Sequence, residues 1–196
     1  MTETNFARRQ AADGRDLPYW EAGAGETIVA IVPGNEQPTR GHALLAERRR
    51  VVVFAPPADA GSPQEAARRI AAAVAALGIE HCDVMGEGAG ASAALWLALA
   101  PQAEIGAVVL AAPLGSPDDA CREMTRPVLV LAGTRNGSAD AERYRAVLPE
   151  CHFMLVYDAG TAIGAERPEA LAFVVREFFE RRDLFLVSRE SGKAFP

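Results

Sequence analysis

VMGEGAGASAAL, residues 84–95, is the stretch on which the reading of this chain turns. A buried-type strand over 82–85 runs into a tight glycine turn, and a helix of small residues follows. Strand, sharp turn and helix in that order are the setting of the G-x-S-x-G elbow, whose middle residue is a reactive serine. Here the five positions are Gly86, Glu87, Gly88, Ala89 and Gly90, so the apex has no side chain. An apex of this kind is often held at positive φ, which costs about 1–3 kcal/mol for a residue with a Cβ. Glycine enters that conformation without a clash. The turn thus keeps its backbone role and lacks a reactive group.

Working outward, the chain alternates strands with helices. Residues 5–11 and 17–21 flank Asp13-Gly14, a tight-turn dipeptide, and predict an opening hairpin. Residues 27–32 form an apolar, β-branched run that ends at Pro33-Gly34-Asn35. A short helix over 40–49 and a strand over 51–54 follow. Ser62 as N-cap, Pro63 at the first helical position and Glu65 three residues on mark the next helix, which Gly78 stops. After the elbow helix, which runs to about 100, come strands at 105–112 and 127–132. A helix over 138–148, a strand over 152–157 and a last helix from Pro168 complete the pattern. The strands are continuously apolar rather than alternating, so they predict a mainly parallel sheet covered on both faces, a three-layer α/β fold. Ligands bind such sheets beyond the carboxyl ends of the strands. The loops 33–38, 86–90, 113–126, 133–138 and 157–165 therefore form the candidate site.

Composition narrows the function. The 196 residues predict one domain, 1–196, with an apolar-rich tail at 184–196. A formal charge of −6 argues against nucleic acid or an anionic membrane as partner. The arginine pairs and runs (Arg8-Arg9, Arg48 to Arg50, Arg68-Arg69, Arg181-Arg182) read as solvated surface. The three cysteines, Cys82, Cys121 and Cys151, are widely spaced and odd in number, which suits reduced thiols in a cytoplasm rather than disulfides or a metal site. No apolar run approaches the ~20 residues of a membrane span.

Five landmarks in order resemble the α/β-hydrolase fold family, over nearly the whole chain. Tyr19-Trp20-Glu21-Ala22-Gly23-Ala24-Gly25 looks like the lead-in to the family's central strands. Ile31-Val32-Pro33-Gly34 looks like the strand and glycine before its oxyanion loop. Val84 to Ser92 looks like the elbow, Arg126 to Gly133 like the strand before the acid, and Asp158-Ala159-Gly160-Thr161-Ala162 like the histidine loop. The resemblance places the family's serine on Gly88, its acid near Asn136 and its histidine on Thr161. None has the required chemistry. Glycine offers no nucleophile, asparagine no charge to steady an imidazolium, and threonine no base near neutral pH. The 113–126 connection is near the minimum length for a crossover, so no cap domain is expected and any pocket should be shallow.

Other signals compete. Gly86-x-Gly88-x-x-Ala91 fits the dinucleotide fingerprint, yet the next strand ends in Ala111-Ala112-Pro113 without the acidic residue that would hold a ribose, so no nucleotide and no other cofactor is expected. Gly34, Asn35, Glu36, Glu87 and Ala89 surround a remnant oxyanion hole. Amides there can hold a carboxylate or phosphate weakly, and the two glutamates oppose this. Ser92 is expected to pack within its helix or bond to a helical carbonyl, and Cys121 to be a structural thiol. His81 and His152 fall at the opposite end of the sheet. Glu36 and Glu87 are expected in solvent, and His42 partly exposed. Two function classes follow. One is a hydrolase-like protein without activity that binds a small ligand, a partner protein or a second copy. The other is an esterase-like enzyme using Glu36, His42, Glu87 and Asp158, with Arg135 as electrophile.

Overall fold

A computed structural model describes residues 5–11, 17–34, 36–100, 104–135 and 138–185. Eight strands form one sheet: β1 (Ala7–Ala11), β2 (Leu17–Ala22), β3 (Thr27–Ile31), β4 (Arg50–Phe54), β5 (His81–Glu87), β6 (Glu104–Ala111), β7 (Val128–Gly133) and β8 (Cys151–Val156). Their spatial order is β1-β2-β4-β3-β5-β6-β7-β8. β1 and β2 pair antiparallel, β2 meets β4 antiparallel, and every other pair is parallel. The expected three-layer α/β architecture with an antiparallel N-terminal hairpin is therefore present. The hairpin's Asp13-Gly14 turn lies outside the described residues.

Helices cover both faces. On one side α2 (Pro63–Ala76), α3 (Gly90–Leu99) and α4 (Ala139–Val147) bury their apolar positions against Val29, Ile31, Val84, Val108 and Leu110. On the other, α1 (Arg40–Ala46), α5 (Ile163–Glu166) and α6 (Pro168–Arg181) pack on Ile28, Ala30, Met85, Val109 and Leu129. Successive residues of a strand point to opposite faces, so a strand covered on both faces must be apolar throughout. That is why β3 is buried along its whole length.

The local signals act as their chemistry dictates. Ser62 Oγ accepts the Glu65 amide at 3.1 Å, and Pro63 opens α2. The Glu65 carboxylate is taken by Arg68. The 112–127 connection contains only a single turn of 3-10 helix, Asp119–Glu123, and no cap domain. α5 and a 3-10 turn at Arg182–Phe185 have no counterpart in the sequence reading, because four residues are too few to show a helical period.

Two arginines expected in solvent are buried. Arg49 is 6 % exposed and pairs with Asp83 at 2.9 Å and Glu26 at 3.1 Å, while Arg69 is 9 % exposed and pairs with Asp59 at 2.6 Å. Their aliphatic stems lie along the domain while their guanidinium groups find carboxylates, the compromise long cationic side chains allow.

Candidate functional site

The elbow is built by three glycines with different tasks. A Cβ at Gly86 would stand 2.6 Å from the Ala94 Cβ, and one at Gly90 would stand 2.4 Å from the Ile31 carbonyl oxygen. Both glycines let α3 close onto the sheet. Gly88 has φ +50 and supplies the left-handed apex. Its N–H donates to the Ala111 carbonyl at 3.0 Å, and its own carbonyl accepts the Leu114 amide at 3.1 Å. Both backbone polar groups of Gly88 are therefore bonded.

The space above the apex is covered. A Cβ at position 88 would lie 3.1 Å from Pro33 Cγ and 3.8 Å from Leu114 Cδ1. Leu114 is fixed there by its backbone. The Tyr144 hydroxyl donates to the Leu114 carbonyl at 3.0 Å and stands 3.0 Å from Ser92 Oγ, and the Gly115 amide donates to Asp140 at 3.1 Å. Ser92 thus bonds across to α4, rather than within its own helix. Cys121 is buried, and burial pushes its thiol pKa up, as a structural cysteine requires.

Beside Leu114 opens a cavity of about 210 Å³ at the carboxyl ends of β6 and β7, walled by Ala112, Pro113, Gly133, Asp140 and Thr161. Ala112 adopts φ +45, a left-handed conformation rare for a residue with a Cβ. Thr161 is exposed at the rim. Asn136 and Asn35 lie outside the described residues. Gly34, at φ +46, and Glu36 are exposed, and the Glu36 amide is used within its own turn, donating to the Pro33 carbonyl at 3.0 Å. Ala89 is exposed at the start of α3.

The segments matching the acid and histidine loops are stapled by ion pairs. Arg135 pairs with Glu166 and stands 3.8 Å from Asp158, and Asp158 also pairs with Arg167. The Gly160 amide donates to Glu166 at 2.6 Å and the Asp158 amide to Thr134 Oγ1 at 2.9 Å. The Gly160 bond, joined by Arg135, holds the Glu166 carboxyl below the usual carboxylate range. Asp158 and Arg135 are thus engaged with neighbouring charges.

His42 and Glu87 are brought together, and both are buried: His42 is 0 % and Glu87 6 % exposed. The expectation of a partly exposed histidine and a solvated Glu87 is corrected here. Asp83, Met85 and Glu87 alternate onto one face of β5, and α1 lays His42 over the last of them. His42 Nε2 stands 3.2 Å from Glu87 Oε1, off the line of a straight hydrogen bond, and neither atom has a further partner among the described residues. The Thr39 amide donates to Nδ1 at 3.0 Å, closing a capping box at the start of α1, and Thr39 Oγ1 lies 2.9 Å from the same nitrogen. A nitrogen that accepts an amide hydrogen carries none of its own, so the neutral ring bears its proton on Nε2, toward Glu87. Burial lowers the His42 pKa to about 4. Burial, reinforced by the charge of Glu36, raises the Glu87 pKa to about 7. One sequence signal pointed here: two carboxylates, Asp83 and Glu87, sit in a strand otherwise buried, and buried charges need partners.

No protein-family profile matches the chain, and no curated protein is significantly similar to it. Solved structures do match. A serine hydrolase involved in carbazole degradation, the CarC enzyme, superposes with a TM-score of 0.79 at 16% identity, over 91% of this chain and 100% of that one. MGS-MChE2, an α/β hydrolase from a sediment metagenome of the Mar Chica lagoon, Morocco, gives 0.74 at 18% identity, over 90% and 99%. The Bacillus subtilis carboxylesterase CesB gives 0.71 at 13% identity, over 90% and 92%. With the strand order and the elbow, these define the chain as an α/β-hydrolase fold.

Proposed function

We propose that this protein is an α/β-hydrolase-fold protein without hydrolase activity, which binds a small ligand at the carboxyl edge of the sheet. The carrying observation is the roof over the elbow. The nucleophile position has no side chain, and Pro33 and Leu114 occupy the approach to it. Triad members act as a unit, so loss of the nucleophile alone removes several orders of magnitude in rate. The 210 Å³ cavity beside Leu114 is smaller than the roughly 300–1,000 Å³ typical of drug-sized ligands, and suits a compound of a few heavy atoms. The strained Ala112 in its wall supports a binding role, since backbone strain concentrates at functional sites. A cytoplasmic setting is in keeping with the free Cys82, Cys121 and Cys151. No described helix is long and apolar enough to cross a membrane.

A second reading, an esterase-like activity, draws support from one arrangement. Thr39 Oγ1, the His42 ring and Glu87 form a hydroxyl–imidazole–carboxylate line. Against it, the Nδ1 lone pair already accepts the Thr39 amide, and Gly164 closes over the hydroxyl, where a Cβ would stand 2.6 Å from Thr39 Oγ1. Hydrolysis of p-nitrophenyl acetate by the purified protein separates the readings. The proposal expects no turnover above that of the folded His42→Gln protein. Turnover abolished by both His42→Gln and Glu87→Gln would establish the second reading instead. For binding, thermal shift against short carboxylates, phosphates and alcohols should raise Tm for at least one class. No shift across the panel would leave only a role as partner subunit.

A further inference from the structure

Between β8 and α6 the described residues leave a groove of about 440 Å³. Its floor is the fully buried Leu131 of β7, and its walls are Met154, Leu155 and Val156 from β8 with Ala170 and Val174 from α6. Leu131, Met154, Val156 and Val174 belong to the apolar cluster on the α6 side of the sheet, whereas α4, whose first turn walls the cavity beside Leu114, packs on the other side. The groove is therefore a second site. Its volume falls within the roughly 300–1,000 Å³ of small-molecule pockets, which the cavity beside Leu114 does not reach.

The polar groups of the groove gather at one end. Tyr157 follows β8, Arg167 precedes α6, and both line the groove where these elements meet the carboxyl edge of the sheet. No Asp or Glu lines it. The Arg167 Nε donates to the Asp158 carbonyl and its Nη2 to the Asp158 carboxylate, while a guanidinium has three further N–H groups to offer. Arg135 also stands 3.8 Å from Asp158, so that carboxylate is met by two cations. At the other end the walls are apolar, and Leu155 is 57 % exposed. From Arg167 to Val174 the chain rises about 10 Å at about 1.5 Å per helical residue, roughly the length of an extended eight-carbon chain.

We propose that this groove binds a medium-chain aliphatic carboxylate. The alkyl chain lies between Met154, Leu155, Ala170 and Val174. The carboxylate accepts N–H groups of Arg167 at the carboxyl edge, beside the Tyr157 ring, whose apolar body and polar tip suit such a boundary. An ammonium head group meets a cation there and is excluded.

Isothermal titration calorimetry on the full chain tests this, with sodium butanoate, hexanoate, octanoate and decanoate as probes, and octan-1-ol and octylammonium for comparison. Octanoate should bind one to one. The dissociation constant should fall about four-fold per added methylene up to octanoate, as burial of a CH₂ group predicts, and change little beyond it. Ala170→Trp fills the groove from an exposed helix position and should abolish octanoate binding, with an unchanged far-UV circular dichroism spectrum to verify folding. Arg167→Gln should weaken octanoate at least ten-fold and leave octan-1-ol unaffected. The proposal is overturned by no binding of octanoate at millimolar concentration, by affinity that does not depend on chain length, by equal binding to Ala170→Trp, or by octylammonium binding as tightly as octanoate. Equal loss of octanoate and octan-1-ol in Arg167→Gln also overturns it, since Arg167 would then act on the fold and not on the carboxylate.

Discussion

β5 carries two buried carboxylates on one face, four residues apart, and solves the same problem twice in opposite ways. Near its beginning, Asp83 is 2 % exposed and fully provided for. Arg49 meets it at 2.9 Å, Arg182 at 3.6 Å and the Ala107 amide at 3.0 Å, where the pairing of β5 with β6 slips between Cys82 and Val84. Burial raises the Asp83 carboxyl pKa, while both arginines and the amide oppose the rise. At the other end, Glu87 faces a neutral imidazole and no cation. The first site is held by charge. The second is arranged to do without it, because burial favours the uncharged form of both partners. The difference teaches that the buried pair at the carboxyl end of β5 is kept uncharged, while the loops after β7 and β8 carry their ion pairs nearer the surface.

The comparison is sharpest in stability. Asp83→Ala removes the buried partner of the Arg49 guanidinium, leaves it only the exposed Glu26, and should cost about 3 kcal/mol in urea unfolding at pH 7. Glu87→Gln keeps shape and acceptor and should cost less than about 1 kcal/mol. Equal costs would mean that Glu87 is as dependent on its charge as Asp83.

The pH dependence of the second site should split when either partner is removed. Glu87 has a folded pKa raised to about 7 from its ordinary value of 4.5, so its contribution is lost as pH rises between those values. His42 has a folded pKa lowered to about 4 from 6.5, so its contribution grows as pH rises through that window. In the intact protein the two slopes largely cancel. Glu87→Gln should therefore gain stability relative to the parent from pH 4.5 to 7, and His42→Gln should lose it from pH 4 to 6.5. The limiting slope is about 1.4 kcal/mol per pH unit. Parallel profiles for the three proteins would break the pairing.

Smaller effects follow at the loops. Gly88→Ala forces a Cβ into the left-handed region against Pro33 and should cost about 1–3 kcal/mol, read as a lowered urea midpoint. Arg135→Gln removes a half-exposed partner of Glu166 and Asp158 and should change stability by no more than about 1 kcal/mol.

The sheet was legible in the sequence because parallel strands buried on both faces must be apolar at every position, and residues 27–32, 105–112 and 127–132 are nearly so. The elbow was legible because Gly86, Gly88 and Gly90 satisfy requirements of the backbone itself. The Thr39–His42–Glu87 cluster was not. His42 and Glu87 are 45 positions apart, and only the stacking of α1 over the end of β5 makes them neighbours. Arg49 escaped for the same reason, since Asp83 is supplied from a distant strand, while Arg69 is buried against Asp59 from the loop just before its own helix. α5 was invisible because Ile163–Glu166 is a single turn, defined by what it covers rather than by its own pattern.

That turn has a kinetic consequence. α1 and α5 touch through bare backbone: a Cβ on Gly41 would stand 3.0 Å from the Gly164 carbonyl oxygen, and one on Gly164 only 3.2 Å from Glu87 Oε1. His42 is buried beneath this seam, so exchange of its Nε2 hydrogen with water requires a local opening of the packing. The exchange lifetime of that hydrogen is consequently a stopwatch for the opening, and a methyl group added at residue 41 or 164 should make it run faster.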